Sequence, residues 1–399
     1  MRLCVVTCDR RCAVDHAHGA NCVTRLTLFC LDALAMTGSM PARGHAQFGY
    51  EKSCYHILPM RETLRWLRVT LCMVGLAACG SGRPSGDDDG GGDDGGGDDA
   101  PSMQRASCVD LMPTCGPGGN DSCCSSPKID GGPFYRSYDL AGDGNSGDMT
   151  APAMISSFRL DKYEVTVGRF RKFVEAGMGA QANPPPEGAG AHAAIAGSGW
   201  SASWNTKLAM SRDALTAAVK CNTTFQAWTD AASLNEARPM NCLTWYEAMA
   251  FCVWDGGYLP TEAEWNYAAA GGEQQNAYPW ASSTVDGTHA SYYDGMSCVG
   301  DRMTGCALTD LVAVGTKPDG NGRYGQSELA GNVSEWTLDS ISPYPNPCTD
   351  CAKLTDAGDR VIRGGSFGES VFYLRTGVRD SSGPADRSHG IGVRCARAP

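Results

Sequence analysis

The sequence has no cluster of basic residues and no apolar run long enough to span a membrane. Its 33 Lys and Arg stand against 44 Asp and Glu, for a formal net charge of -11. Because a nucleic-acid-binding protein needs a clustered basic surface to displace counterions from phosphates, we expect no nucleic acid partner. Aromatic residues make up only 8%, but hydrophobic residues reach 42%, which excludes a chain that is disordered throughout.

A short apolar stretch, residues 69–78, follows the basic segment 60–68. Its length of about ten residues falls short of the ~20 that a transmembrane helix needs, so we expect no retained span. A basic start, an apolar stretch and Leu-Ala-Ala-Cys ending at Cys79 are typical of a bacterial lipoprotein signal. A buried core helix is the alternative, but the polar tract that follows offers nothing for it to pack against. We therefore predict a lipoprotein with acylated Cys79, anchored outside the cytoplasm in the periplasm or at the outer membrane.

The segments around this signal differ in composition. Residues 1–59 hold six cysteines and do not fit an export signal, so we interpret them as an extension from a start codon placed too early, with Met60 as the true start. Residues 80–107 are rich in Gly and Asp and predict a flexible tether. A calcium-binding repeat is the alternative there, but the regular spacing and apolar anchors of such repeats are missing.

Residues 108–127 form a cysteine-rich segment. Its cysteines lie among Gly, Pro, Asn and Asp, which favours a small disulfide-stapled unit outside the cytoplasm, with zinc as the weaker alternative. The sequence leaves their connectivity open. They are Cys108, Cys115, Cys123 and Cys124.

Local patterns predict several elements. Residues 158–165 alternate apolar and polar side chains like a strand, and Thr166 can cap a helix that runs to Gly177. Residues 178–205 are rich in Ala, Gly and Pro and predict a long surface excursion.

Two capping boxes, Thr244 with Glu247 and Thr261 with Glu264, predict two further helices. These run from about 245 to 255 and from about 262 to 270, each closed by a pair of glycines.

Four ordered blocks of the chain resemble the formylglycine-generating enzyme, or sulfatase-modifying factor, family. They are residues 239–272, Tyr278-Pro-Trp280, Tyr324 to Trp336, and the ending from Val361 through Gly364-Gly-Ser366 to Cys395. The resemblance implies a single compact α+β domain over residues 128–399, related to C-type-lectin-like folds and with little regular secondary structure.

The resemblance also implies one structural calcium site. By position, its ligands are the side chains of Glu328 and Glu335 and the carbonyls of Gly331 and Val333, all oxygen donors of the kind that calcium prefers. The alternative is that Glu328 and Glu335 are solvated surface charges, which spacing alone does not exclude.

A disulfide between Cys252 and Cys395 is a further implication of the resemblance. For the other cysteines we expect local pairs. The Cys348-Thr-Asp-Cys351 spacing is open to half a zinc site or a redox pair, but a structural bridge is favoured. The expected local pairs are Cys298 with Cys306, Cys348 with Cys351, and Cys221 with Cys242.

The chemistry of the family depends on two cysteines that hold copper, three and eight residues after the Ser of Gly-Gly-Ser. In this sequence those positions are Glu369 and Leu374, and no cysteine lies between Cys351 and Cys395. Since thiolates select soft Cu(I), we expect no copper.

Three residues near these positions remain site candidates: Ser366, Glu369 and Arg375. We expect Arg375, Arg379 and Arg394 to brace loop carbonyls and carboxylates.

A hydrolase is a minor alternative, because Gly-x-Ser-x-Gly at Ser366 precedes His389, with Asp380 and Asp386 between them. The 22 residues from Ser366 to His389 are too few for the parallel sheet of such an enzyme.

Two functions follow as hypotheses. One is a lipid-anchored module that binds an exported protein or another ligand and no longer oxidises cysteine. The other is an active enzyme that modifies a Cys or Ser of exported proteins such as sulfatases.

Overall fold

The computed structural model describes residues 2–15, 19–32, 105–140, 147–355 and 358–399, the first two ranges by their backbone alone. The chain divides into two units, Met1–Asp89 and Gly90–Pro399. In the first unit, β1 (Arg2–Asp15) and β2 (Gly19–Asp32) pair in antiparallel fashion. The predicted signal with Cys79, and nearly all of the predicted tether, lie outside the described residues. None of the helices within the described ranges combines the length and the apolar composition needed to cross a membrane.

Within its described residues, the second unit contains three small sheets. In the first, β7 pairs in parallel with β10, and the order is β10-β7-β8-β9; the other two are β11-β6-β3 and β4-β5. All other pairings in these sheets are antiparallel. The strands are β3 (Lys128–Ile129), β4 (Gly132–Tyr135), β5 (Pro152–Ile155), β6 (Phe158–Leu160), β7 (Ser334–Ser340), β8 (Arg360–Arg363), β9 (Asp380–Ser382), β10 (Ile391–Gly392) and β11 (Ala396–Arg397).

The helices pack against these sheets in a mixed architecture with little regular secondary structure, as the α+β prediction stated. They are α1 (Val167–Glu175), α2 (Arg212–Ala218), α3 (Trp245–Trp254) and α4 (Glu262–Ala269). Both predicted capping boxes form, with the Thr side chain accepting from the Glu backbone N–H and the Glu carboxylate accepting from the Thr N–H.

The strand predicted at residues 158–165 is too long. Only Phe158–Leu160 forms β6. Asp161, which follows, is fully buried and its carboxylate accepts a hydrogen bond from Arg169 at 3.0 Å. Arg169 also donates to Asp255 at 2.6 Å. The chain after Leu160 therefore contributes to a buried ion-pair cluster and does not continue the β-strand.

The excursion predicted at residues 178–205 is also not purely a surface loop. Trp200 is fully buried and belongs to the main hydrophobic core with Trp245, Phe251 and Trp336. Burial of a large aromatic side chain contributes more to stability than burial of Ala or Gly. Ala and Gly dominate the composition of this segment, and for that reason composition alone predicted a loop. The excursion is therefore anchored to the domain.

Six disulfides join the cysteines of the second unit. The Cys252–Cys395 bridge links α3 to the end of the chain, and the three expected local pairs are present. In the cysteine-rich segment the structure contains Cys108–Cys124 and Cys115–Cys123. This segment is attached to the domain, since the backbone N–H of Gly116 donates to the Val314 carbonyl at 3.0 Å.

Candidate functional site

The candidate site lies in the loop that leaves β8. Ser366 is almost completely buried, and its carbonyl accepts the backbone N–H of Glu369 at 3.0 Å. A Cβ atom at Gly390 would lie only 2.9 Å from the Ser366 hydroxyl oxygen. Glycine at position 390 therefore avoids a steric clash between a side chain and that hydroxyl.

Glu369 is held beside Ser366 by two further contacts. The Ser334 hydroxyl donates to Glu369 Oε2 at 3.0 Å, and the Tyr293 backbone N–H donates to the Glu369 carbonyl at 2.8 Å. The carboxylate is half-buried, so it remains accessible to a ligand. The structure thus brings two sequence candidates, Ser366 and Glu369, into one place.

Arg375 takes a different role. Its guanidinium donates to both carboxylate oxygens of Asp139, at 2.9 and 3.0 Å, and the side chain is 5% exposed. A charge paired and buried in this way stabilises the loop and is not free to act on a substrate. The predicted bracing role of Arg375 therefore describes it better than its place among the site candidates.

His389 lies near Phe367, the residue that follows Ser366, in an aromatic setting. Its ring stacks on Phe225, with centroids 5.0 Å apart, and lies 5.9 Å from the ring of Phe367. Burial lowers the pKa of His389, which favours the neutral imidazole. Ser334 and Phe225 were missed by the sequence reasoning, because contact with the Ser366 loop comes only from folding. We refer to Ser334, Ser366, Glu369 and His389 together as the Ser366 site.

The hydrolase alternative is wrong. A single-turn 3₁₀ helix, Val371–Leu374, follows Ser366 where a nucleophile elbow needs a long helix. Asp380 and Asp386 accept hydrogen bonds from backbone N–H groups of their own loop, at Ser381 and Gly383.

The residues at the copper positions do not fit copper. Leu374 is fully buried in an apolar cluster with Ala290, Tyr292 and Ala330. From residue 105 onward, every cysteine that the structure describes is in a disulfide. Within the described ranges, moreover, no group of three or more His, Cys, Asp or Glu side chains is placed to hold a metal ion. A thiolate copper centre therefore has no donors in this part of the chain.

The predicted calcium ligands lie in the interior, which excludes the surface-charge alternative. Glu328 and Glu335 are 3% and 1% exposed. Glu328 accepts the Gly315 backbone N–H at 2.8 and 2.9 Å. Glu335 accepts from Arg394 at 2.7 and 2.8 Å and from the Trp265 indole at 2.7 Å.

A third buried carboxylate lies next to these two. Glu164 accepts the Asn332 side-chain amide at 2.7 Å and the Val333 backbone N–H at 3.1 Å. Burial, with the charges of Glu328 and Glu335, raises the pKa of Glu164 well above its usual range. Burial also raises the pKa of Glu328 to about 7. Three buried carboxylates beside one arginine, Arg394, therefore leave an excess of buried negative charge in this part of the fold.

Comparison with known proteins shows which family this arrangement represents. A model of the sulfatase-modifying factor enzyme 1-like domain matches residues 120–399. The chain belongs to this family. The single α+β domain expected from the sequence is the fold of the family.

The relatives of the chain differ in activity. Mouse formylglycine-generating enzyme is 34% identical over 173 residues, 40% of this chain and 44% of that protein. Mouse inactive C-alpha-formylglycine-generating enzyme 2 is 31% identical over 163 residues, 40% of this chain and 48% of that protein. Hercynine oxygenase of Mycolicibacterium smegmatis is 28% identical over 287 residues, 68% of this chain and 61% of that protein.

In each case the chain spans less than two thirds of the relative's length. Family membership therefore does not decide whether this chain oxidises cysteine. Among solved structures, PvdO from Pseudomonas aeruginosa matches with a TM-score of 0.49 and 19% identity, covering 69% of this chain and 95% of PvdO.

Proposed function

We propose that the chain is an exported, lipid-anchored member of the sulfatase-modifying factor family that binds a ligand or an exported protein and has lost the copper-dependent oxidation of cysteine. One observation carries the proposal: the copper positions hold Glu369 and Leu374, while the described cysteines from residue 105 onward are all in disulfides. A carboxylate and an aliphatic side chain do not replace two thiolates as Cu(I) ligands.

The Ser366 site supports a binding role. Glu369 offers a half-buried carboxylate that is positioned by Ser334, and the neighbouring side chains of Val371 and Phe372 are about 40% exposed. A carboxylate flanked by exposed apolar side chains suits a partner with a basic or hydrogen-bond-donating group and an apolar neighbour. An exported polypeptide has both.

The deciding experiment measures oxidation and copper binding in parallel. The purified chain is incubated with Cu(I), oxygen and a sulfatase peptide containing Cys-x-Pro-x-Arg, and the peptide mass is followed for the loss that accompanies aldehyde formation. We expect no conversion above a control without protein, and no Cu(I) retained against a chelator. A known formylglycine-generating enzyme, assayed alongside, confirms that the conditions support turnover.

Peptide conversion by this chain would refute the proposal and favour the second hypothesis, an active modifying enzyme. The match to formylglycine-generating enzyme at 34% identity keeps that hypothesis relevant. The assay therefore includes a Glu369→Ala variant, since activity that depends on Glu369 would indicate chemistry without thiolate ligands.

Two further parts of the proposal concern anchoring and metal. The sequence around Cys79 supports lipidation and an extracytoplasmic location. The buried carboxylates of Glu328 and Glu335, with the carbonyls of Gly331 and Val333, support a structural calcium ion. Such an ion would stabilise the fold beside β7 and supply no chemistry at the Ser366 site.

A further inference from the structure

A cavity of about 530 Å³ opens at the C-terminal end of α3, and none of its lining residues belongs to the Ser366 site. Its walls come from five separate parts of the chain: the loop 189–194, the end of α3 with Tyr258, the turn between β5 and β6, the loop that carries Asp350, and residues 398–399. Cavities that bind small molecules commonly measure ~300 to 1,000 Å³. The volume is therefore sufficient for a small organic ligand.

The loop 189–194 is a fixed wall. The Trp200 backbone N–H donates to the Ala189 carbonyl at 2.8 Å, and Trp200 is buried in the main core. At Gly190, where φ is +68°, a Cβ atom would lie only 2.4 Å from Val253 of α3, so only glycine allows this close approach. The alanines of the loop and the side chain of Val253 leave a mainly apolar lining.

Asp350 is the acidic side chain in the lining. Its two carboxylate oxygens accept the backbone N–H and the hydroxyl of Ser156, at 2.7 and 2.6 Å. Asp350 lies in the short loop closed by the Cys348–Cys351 disulfide, and its backbone N–H donates to the Met154 carbonyl at 3.0 Å. Among the described residues, the Asp350 carboxylate forms no ion pair, and its hydrogen bonds come from neutral donors. Its charge nevertheless reaches His192 in the same lining, because the contact with Glu264 and then the charge of Asp350 raise the pKa of that imidazole.

Two other polar side chains at the cavity, His192 and Tyr258, are already paired with Glu264. His192 Nδ1 accepts the Ala194 backbone N–H at 3.2 Å, which leaves the proton on Nε2, 3.3 Å from Glu264. The Tyr258 hydroxyl donates to the same carboxylate at 2.9 Å. The hydrogen bonds of Glu264 are therefore formed within the fold. Asp350 is the acidic side chain of the lining that is available to pair with a cationic ligand.

We propose that this cavity binds a small organic cation, with an ammonium group on Asp350 and an apolar body against Val253 and the alanines of the loop 189–194. An ammonium would give the Asp350 carboxylate the positive partner that it lacks, and charge-assisted hydrogen bonds are stronger than neutral ones. An anionic ligand would be repelled by Asp350 and by the net charge of -11. This site is independent of the Ser366 site and of the proposed binding function there.

Three probes of nearly equal size test the proposal: phenethylamine, phenethyl alcohol and phenylacetate. Each is titrated into the purified full chain, and binding is followed by ligand-observed NMR. We expect the amine to bind about tenfold or more tightly than the alcohol, and phenylacetate to bind weakest. Equal binding of the amine and the alcohol, or no binding of the amine up to its solubility limit, would overturn the proposal.

Two variants and a control assign the binding to this cavity. Asp350→Asn should remove the preference for the amine over the alcohol. Ala194→Trp fills the mouth of the cavity from an exposed position and should abolish binding of both probes. Asp319→Asn removes an exposed carboxylate outside the cavity and should change neither result. Amine binding that survives both Asp350→Asn and Ala194→Trp would place the ligand elsewhere and refute the assignment.

Discussion

Arg394 donates hydrogen bonds to both carboxylate oxygens of Glu335, at 2.7 and 2.8 Å, where neither side chain is exposed by more than 1%. The same guanidinium donates to the carbonyls of Asp161, Ser327 and Glu328. One side chain near the end of the chain thus ties together β7, the predicted calcium ligands and the segment before α1.

Replacing Arg394 by Met should lower the free energy of unfolding by roughly 3 to 5 kcal/mol, because Glu335 is then left as an uncompensated buried charge. Urea unfolding measures the change. The double variant Glu335→Gln with Arg394→Met should recover part of the loss, since it removes the buried charge. Lys128→Met breaks an exposed pair with Asp130 and should cost at most ~0.5 kcal/mol. Equal losses for Arg394→Met and Lys128→Met would contradict the role given to the buried pair.

The Cys252–Cys395 bridge should contribute more stability than Cys348–Cys351. The sequence separations are 143 and 3, and chain-entropy estimates for such loops give about 5 and about 2 kcal/mol. Paired Cys→Ser variants of each bridge, unfolded in urea without reductant, test the order. A larger loss for the short bridge would show that native-state contacts outweigh loop entropy here.

Removal of calcium should lower the melting temperature if the ion binds at Glu328 and Glu335. With free calcium about a hundredfold above its dissociation constant, the expected shift is roughly 5 to 10 °C. Differential scanning calorimetry with calcium and with chelator gives the comparison. Glu328→Gln should lose the sensitivity to chelator, whereas Asp319→Asn should keep it. Identical melting of the wild-type chain in chelator and in calcium would remove the case for this site.

Lipidation of Cys79 should be detectable in cells. A bacterium that expresses the full chain and is fed an alkyne fatty acid should produce labelled protein in the membrane fraction. The Cys79→Ala variant should lose the label, while a Cys72→Ala variant, changed inside the apolar stretch, should keep it. A label that persists in Cys79→Ala would exclude the predicted lipoprotein signal.

The stability of the domain should fall between about pH 4 and 7 through Asp339. Burial, together with the charge of Glu262, raises the pKa of Asp339 from its usual value to about 7. Over this range the folded state binds the proton more tightly than the unfolded state, so stability is lost as pH rises. The loss reaches up to about 4 kcal/mol and is complete above pH ~7.

Urea unfolding at several pH values separates this effect from others. Asp339→Asn cannot titrate and should reduce the slope of the pH dependence, even if the loss of one backbone hydrogen bond lowers its stability at every pH. Glu164 and Glu328, whose pKa values burial also raises, should account for the slope that remains. Asp319→Asn, an exposed change, should keep the slope of the wild-type chain. A slope in Asp339→Asn equal to that of the wild-type chain would assign the dependence to other groups.

Local signals predicted those elements whose cause is itself local. Helices α3 and α4 begin at Thr244 and Thr261 because each capping box needs only residues three apart. The prediction at residues 158–165 failed beyond Leu160, because the next residue, Asp161, pairs with Arg169 of α1 and with Arg397 near the end of the chain. The same limit applies to Trp200, whose burial depends on a core formed by other segments.

The sequence by itself determined the family, the two capped helices, and the presence of Glu369 and Leu374 at the positions where the resemblance places copper ligands, since these depend on the identity of residues at set spacings. Only the tertiary structure decided that Ser334 donates a hydrogen bond to Glu369, that Arg375 pairs with Asp139, and that Asp350 lines a cavity built from five segments. The physical reason is that burial and pairing of a charge depend on which distant segments meet it. A linear pattern shows that a carboxylate is present, but not what surrounds it.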